Sequence, residues 1–381
     1  MIAFINAISH FLVDAVCVCA MFSSGAVPEV LSGAIMLYDT MAFSSQCLVG
    51  FALDSIVSTK YSLSGEGQKL AHTKNAIRSC GYLEAISMII VAAGAVLPCG
   101  IVLKAIIVGL GNSLFHVTGG IVTLRKSNGK AAPLGLFVAP GAFGVTLGTL
   151  WPSALKWTAA LLAIAALICM WAYKTGCKTA ETASLADNTT SIEKSAENVE
   201  NVSDQENSRL PGPDCSGMRQ PSVLPVILIT AAVAVRAIGG YAAEFTWKES
   251  ASDALLLTLF VFLGKAAGGF FCDRFGAAGM SAVTVVLAAV FTAFFAFSMP
   301  LSLAGQFLLN LSMPVTLWLL YRHLPENPGL AFGIAASALW PGTIAGWLIK
   351  LTGPLQSILI LVCFIFGLFA IIYADRSAGR S

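Results

Sequence analysis

Gly269-Phe270-Phe271-Cys272-Asp273-Arg274-Phe275-Gly276 closes one long apolar run of the chain, and Gly50-Phe51-Ala52-Leu53-Asp54 closes another far upstream of it. Both read G-x-x-x-D. Residues four apart share one face of a helix, so each copy sets a glycine and a carboxylate on the same stripe. A glycine there lets a second helix approach closely. The carboxylate one turn further on is placed to meet a helix N-terminus or an arginine. Each copy ends the second apolar segment of a run of six, which marks the chain as two related halves.

Outward from the two copies, apolar segments cover 3–23, 30–53, 80–98, 101–123, 132–151 and 155–173, then 222–244, 252–272, 279–298, 300–321, 329–349 and 354–373. Each is near the ~20 residues that a helix needs to cross a bilayer. Of the 381 residues, 57% are hydrophobic and 11% charged, where a soluble domain carries about 25% charged residues. The mean hydropathy is +0.81. An ordinary soluble enzyme, a nucleic-acid binder and a disordered scaffold are excluded on these grounds. The expectation is an all-α membrane protein with 12 transmembrane helices in two six-helix bundles, residues 1–173 and 221–381. A linker over 174–220, rich in Ser, Glu, Asn and Asp, predicts disorder. The first segment has no basic stretch before it and contains His10 and Asp14, so it reads as a spanning helix and not a removed leader.

Lys and Arg assign the sides. With the linker, the 2–3, 4–5, 8–9 and 10–11 loops and the C-terminus on one side, only Lys156, Lys248 and Lys350 of the 22 basic residues fall on the other. Lys104, Arg236 and Lys265 lie inside apolar segments. The basic side is cytoplasmic by the positive-inside rule, which puts both termini and the linker there, in a plasma (inner) membrane protein. Asn188-Thr189-Thr190 and Asn201-Val202-Ser203 are then unglycosylated sequons. Seven of the cysteines, Cys17, Cys19, Cys47, Cys99, Cys169, Cys272 and Cys363, sit in apolar runs and read as small buried hydrophobes. No zinc-ligand spacing and no G-x-x-x-x-G-K-[ST] occurs, so no metal, cofactor or ATP-driven step is expected.

The six-plus-six layout, the linker expected on the cytoplasmic side and the paired G-x-x-x-D motif resemble the major facilitator superfamily (MFS). A narrower similarity is to its fosmidomycin-resistance branch. It rests on Ser9-His10-Phe11-Leu12-Val13-Asp14, on Gly109-Leu110-Gly111-Asn112-Ser113-Leu114-Phe115-His116, on Phe137-Val138-Ala139-Pro140-Gly141-Ala142-Phe143-Gly144-Val145-Thr146-Leu147-Gly148, and on Arg236 in segment seven. Two differences stand out. Asp54 is followed by Ser55-Ile56 in place of a basic residue and glycine, and Val117-Thr118 follow His116 where the branch has Pro-Glu. The resemblance implies an MFS fold and secondary transport by alternating access around a midplane site.

The ionisable groups within the segments are the candidates for that site. A charge at the centre of a spanning helix costs about 2.5–3.5 kcal/mol on the insertion scale, so such groups face a partner, a cavity or water. Asn6, His10 and Asp14 form one stripe on the first helix, with Asp14 near mid-membrane. They read as a proton or substrate site, or else as a buried polar set that fixes packing. Asp14, His10 and His116 are the proton-coupling candidates. Arg236 suits bidentate recognition of a carboxylate or phosphonate, or a permanent pair with Asp14 or Asp39. Lys265, Asp39, Gln46, Asn112 and Lys104 complete the candidate substrate contacts. Asp54, Gly269, Asp273 and Arg274 are the candidate gate. Glu84 and Glu244, near segment ends, read as solvated or interfacial. Gly141, Gly144 and Gly148 read as a close-packing face.

Interior cations outnumber central carboxylates, which points to a small anionic or zwitterionic solute, moved outward in exchange for protons. The expected partners are that solute, protons and the lipid bilayer, with no nucleic acid and no enzymatic activity, and nothing calls for more than a monomer. Proton-independent uptake or facilitated diffusion, and a non-transporting membrane sensor on the same fold, are the alternatives.

Overall fold

A computed structural model of the chain describes residues 2–61, 66–175, 223–348 and 351–378. Among these residues the chain is helical, with no strand. The first half holds α1 (Ile2–Phe22), α2 (Pro28–Asp39), a π-turn (Thr40–Ser44), α3 (Ser45–Tyr61), α4 (Glu66–Val96), α5 (Ile101–Lys126), α6 (Ala132–Val138), α7 (Gly141–Leu150) and α8 (residues 155–175). The second half holds α9 (Val223–Ala242), α10 (Ala251–Phe275), α11 (Ala277–Phe294), α12 (Met299–His323), α13 (Pro328–Ser337), α14 (Trp340–Leu348) and α15 (Gly353–Ala378). Apart from Lys174 and Thr175, which extend α8, the linker expected over 174–220 lies outside the described residues.

Eleven spans among the described residues are long and apolar enough to cross a membrane. The twelfth expected segment is α2 and α3, which the π-turn divides. Hydroxyls cause that division. Thr40 Oγ1 donates to Met36 O, Ser44 Oγ to Thr40 O and Ser45 Oγ to Met41 O, and such back-bonding competes with the helical ladder. Segment five breaks before Pro140, which has no N–H to donate, so α6 ends at Val138 and α7 starts at Gly141. Segment eleven breaks at the equivalent place, before Pro341. The pairing of helices repeats between halves. α1 packs along α7 and α4 along α5; α9 packs along α14 and α11 along α12.

The two halves meet through the paired motif. Asp54 accepts from the backbone N–H groups of Gly329 (3.0 Å) and Leu330 (2.7 Å), at the start of α13. Asp273 accepts from those of Ala131 (2.7 Å) and Ala132 (3.0 Å), at the start of α6. Each carboxylate thus satisfies orphan N–H groups of a helix N-terminus in the opposite half. The motif glycine explains the close approach: a Cβ on Gly50 would collide with the Gly329 carbonyl, and one on Gly269 with the Ala131 carbonyl. Trp318 Nε1 donating to Gly129 O (2.7 Å) adds a third tie between the halves. Together these contacts seal the end of the molecule that carries the 4–5 and 10–11 loops.

Candidate functional site

Above the sealed end, the halves enclose a cavity of about 700 Å³, within the roughly 300–1,000 Å³ usual for small-molecule sites. Its floor is made by His10, Gln46, His116, Val138 and Phe332, and its walls rise along α1, α7, α9 and α14 to Phe22, Thr149, Tyr241 and Thr343. The cavity therefore occupies the part of the molecule away from the sealed end. All three interrupted segments border it, because a broken ladder frees backbone and turns side chains inward without a lipid-facing cost.

The stripe expected on α1 meets α5 at the cavity floor. His10 Nδ1 lies 2.8 Å from Phe137 O, and His116 Nδ1 lies 2.9 Å from Asn112 O. A carbonyl oxygen only accepts, so both Nδ1 atoms carry the proton. Both Nε2 atoms then present lone pairs in the neutral rings. They face each other at 2.9 Å, with Asp14 Oδ2 3.3 Å from His10 Nε2 and Asp14 Oδ1 3.8 Å from His116 Nε2. Two bare acceptors at hydrogen-bond distance beside a carboxylate need a cation between them. One shared proton converts the repulsion into an N–H···N bond with Asp14 as counter-charge. Asn112 Nδ2 holds the other end of the carboxylate, donating to Asp14 Oδ1 (3.1 Å) and approaching Tyr38 Oη (3.2 Å). The close-packing face predicted on α7 makes room: a Cβ on Gly141 would strike Asp14 Oδ2 and His10 Nε2.

Arg236, Lys265, Asp39 and Gln46, candidates from the sequence, also line the cavity. Arg236 Nη1 donates to Ser312 Oγ (3.1 Å). It makes no ion pair with Asp14 or Asp39, and Ser312 is its one side-chain partner among the described residues. Gln46 spends an amide N–H on Ala42 O (2.8 Å), and its buried Oε1 has no partner among the described residues. Asn6 is buried and is not among the residues that line the cavity. Trp340 Nε1 donates to Thr40 Oγ1 (3.0 Å), which ties the π-turn to the opposite half. Tyr38 and Ser312 are contacts of the site that nothing in the sequence singles out, because neither carries a charge or repeats a motif.

Three expectations need correction. Lys104 does not reach the cavity: it starts α5, and its Nζ caps the α4 carbonyl of Ala95 (2.9 Å). Arg274 is exposed and pairs with nothing among the described residues, since Asp273 is already satisfied by backbone N–H groups. Arg322 pairs with Asp375 (3.3 Å) at this end, within the second half. Glu84 is not interfacial. It is fully buried inside the first bundle, where Tyr173 Oη donates to Oε2 (3.0 Å) and Oε1 has no partner among the described residues. It lies mid-helix because α4 begins well before the apolar run does. Glu244 is exposed, as expected.

The helical order, the paired half-molecules and the cavity between them define a multi-pass integral membrane protein with the MFS fold. No protein-family model matches the chain, and no curated protein sequence does. Solved structures do. FucP, an MFS transporter in the outward conformation, is 13% identical over 98% of both chains, with a TM-score of 0.57. A variant of the E. coli fucose:proton symporter FucP is 11% identical over 98% of both chains, TM-score 0.56. The human organic anion transporter TETRAN is 13% identical over 99% of this chain and 98% of its own, TM-score 0.56.

Proposed function

We propose that the protein is a secondary transporter of a small zwitterionic or anionic solute, working by alternating access and coupled to protons through His10, His116 and Asp14. The observation that carries this reading is the pair of Nε2 atoms facing at 2.9 Å on the cavity floor, a place that demands a cation. The solute's anionic group is assigned to Arg236 and Lys265, and Asp39 and Gln46 shape the opposite wall. The halves are the bundles 1–173 and 221–381, each moving as a unit. Asp54 with Gly50, and Asp273 with Gly269, form the latch that holds the sealed end closed. With the basic side cytoplasmic in the plasma membrane, the described state is open to the outside. The fosmidomycin-type motifs in segments one, four and five are the residues that build the cluster, which is the physical sense of that resemblance.

Charge decides the mode. A zwitterion whose ammonium takes the proton's place near Asp14, with its anionic end on Arg236, excludes the proton and is exchanged for it, which gives efflux by antiport. A solute with only negative charge is attracted by the proton and travels with it; the presence of both Arg236 and Lys265 in the cavity favours this second reading. A thermal-shift screen of the purified protein against small anions and zwitterions identifies a ligand. Its flux in proteoliposomes under an imposed pH gradient then tests the coupling. Flux that ignores the gradient and is unchanged in Asp14→Asn removes the coupling. Binding without any accumulation or counterflow favours a sensor.

A further inference from the structure

We infer that His10, His116 and Asp14 also form a binding site for a divalent transition-metal ion of the zinc class, reached from the cavity. The inference stands on donor geometry and does not depend on the transport reading. Two imidazole nitrogens and a carboxylate oxygen lie within 4.8 Å of one another, and all three residues face the cavity. This N₂O set is one that zinc accepts in open sites, with three protein ligands and further positions left for water or solute. The outer contacts match those of a built metal site. Metal-binding imidazoles donate their other N–H to a carbonyl or carboxylate, and ligating carboxylates are themselves hydrogen-bonded. Here His10 Nδ1–H meets Phe137 O and His116 Nδ1–H meets Asn112 O, while Asn112 holds Asp14. Each ring is therefore locked with Nε2 aimed inward.

The fit needs little movement. Two Zn–N bonds of about 2.0–2.1 Å at a tetrahedral angle set the nitrogens roughly 3.3 Å apart, against the 2.9 Å between the two Nε2 atoms. A shift of a few tenths of an ångström in either ring opens the gap. The other charged groups on the cavity wall are Lys265 on α10, Arg236 on α9 and Asp39 on α2. Tyr38 adds a neutral oxygen beside Asn112. The two cations weaken the site, so it is expected to bind zinc in the micromolar range and not as a permanent structural ion.

The test uses the full-length protein in detergent with any affinity tag removed. Zn²⁺ is titrated by calorimetry, and Co²⁺ is added as a visible probe of coordination number. One ion per chain is expected, with the strong visible bands of four- or five-coordinate Co²⁺. His10→Ala and His116→Ala are each expected to weaken binding by about a hundredfold or more, the upper end of what even outer-sphere changes cost. His323→Ala, a histidine outside the cavity, leaves it unchanged. Zinc-edge X-ray absorption of the unmodified protein reads two imidazoles and needs no variant, so a misfolded mutant does not decide the matter. Binding no tighter than millimolar, octahedral Co²⁺ bands, or affinity indifferent to both cavity histidines would overturn the site. Gradient-driven flux with no metal binding removes the site and keeps the coupling; zinc binding with gradient-independent flux does the reverse.

Discussion

Truncating Asp54 to alanine is expected to open the sealed end. Asp54 is buried, and its two oxygens hold the N–H groups of Gly329 and Leu330 at 3.0 and 2.7 Å. A hydrogen bond to a charged group contributes about 1.5–3 kcal/mol. Two such bonds reach about 3–6 kcal/mol, but the freed N–H groups gain water once the halves part. The lower bound, about 3 kcal/mol, is therefore the appropriate figure, and it corresponds to roughly a hundredfold shift toward the state open at this end. Asp273 holds Ala131 and Ala132 in the same way but is exposed, so Asp273→Ala is expected to shift the balance less. Nitroxides at Asn128→Cys and Glu326→Cys, in a cysteine-free background, report the separation of the halves by pulsed electron resonance. Wild type gives a short distance, and Asp54→Ala a second, longer one. A folded Asp54→Ala protein with the wild-type distance distribution would refute the latch. Asp54→Asn keeps one acceptor and should fall between the two.

Three further outcomes follow from the same geometry. Gly141→Ala places a methyl against Asp14 Oδ2 and His10 Nε2; proteoliposome flux should fall at least about tenfold while the protein still inserts, and wild-type flux would show that the cluster is not the working site. Arg236→Lys keeps the charge but loses the planar fork, so the affinity of a ligand found by thermal shift should drop about tenfold, and Arg236→Ala should abolish it; equal affinity in all three proteins removes Arg236 from the site. Tyr173→Phe leaves the buried Glu84 without its hydrogen bond, costing about 1–3 kcal/mol and lowering the melting temperature. An unchanged melting temperature would show that Glu84 has another donor.

Periodicity and charge placement carried much of this structure. Apolar runs near twenty residues cannot fold as anything but spanning helices, because the bilayer leaves no other partner for backbone N–H and C=O groups. The G-x-x-x-D repeat located the two carboxylate contacts between the halves, since residues four apart on a helix lie on one face and act on one neighbour. The stripe of His10 and Asp14 was legible for the same reason. Other features depended on which helix stands opposite. Nothing in the spacing of Asp14 and His116 along the chain says that α1 and α5 cross there, so a three-ligand cluster escaped the metal-ligand rules that read consecutive residues. Lys104 looks like Lys265 in sequence, a lone cation in an apolar run. Only the position of α4's last turn gives Lys104 a carbonyl to cap, while Lys265 is left facing the cavity. Glu84 looked interfacial because an apolar window cannot show where a helix begins. Helix propensity and hydropathy are local properties and so were fixed by the chain. Which buried polar group meets which is set by packing between distant segments, and that was decided only when the two bundles closed on each other.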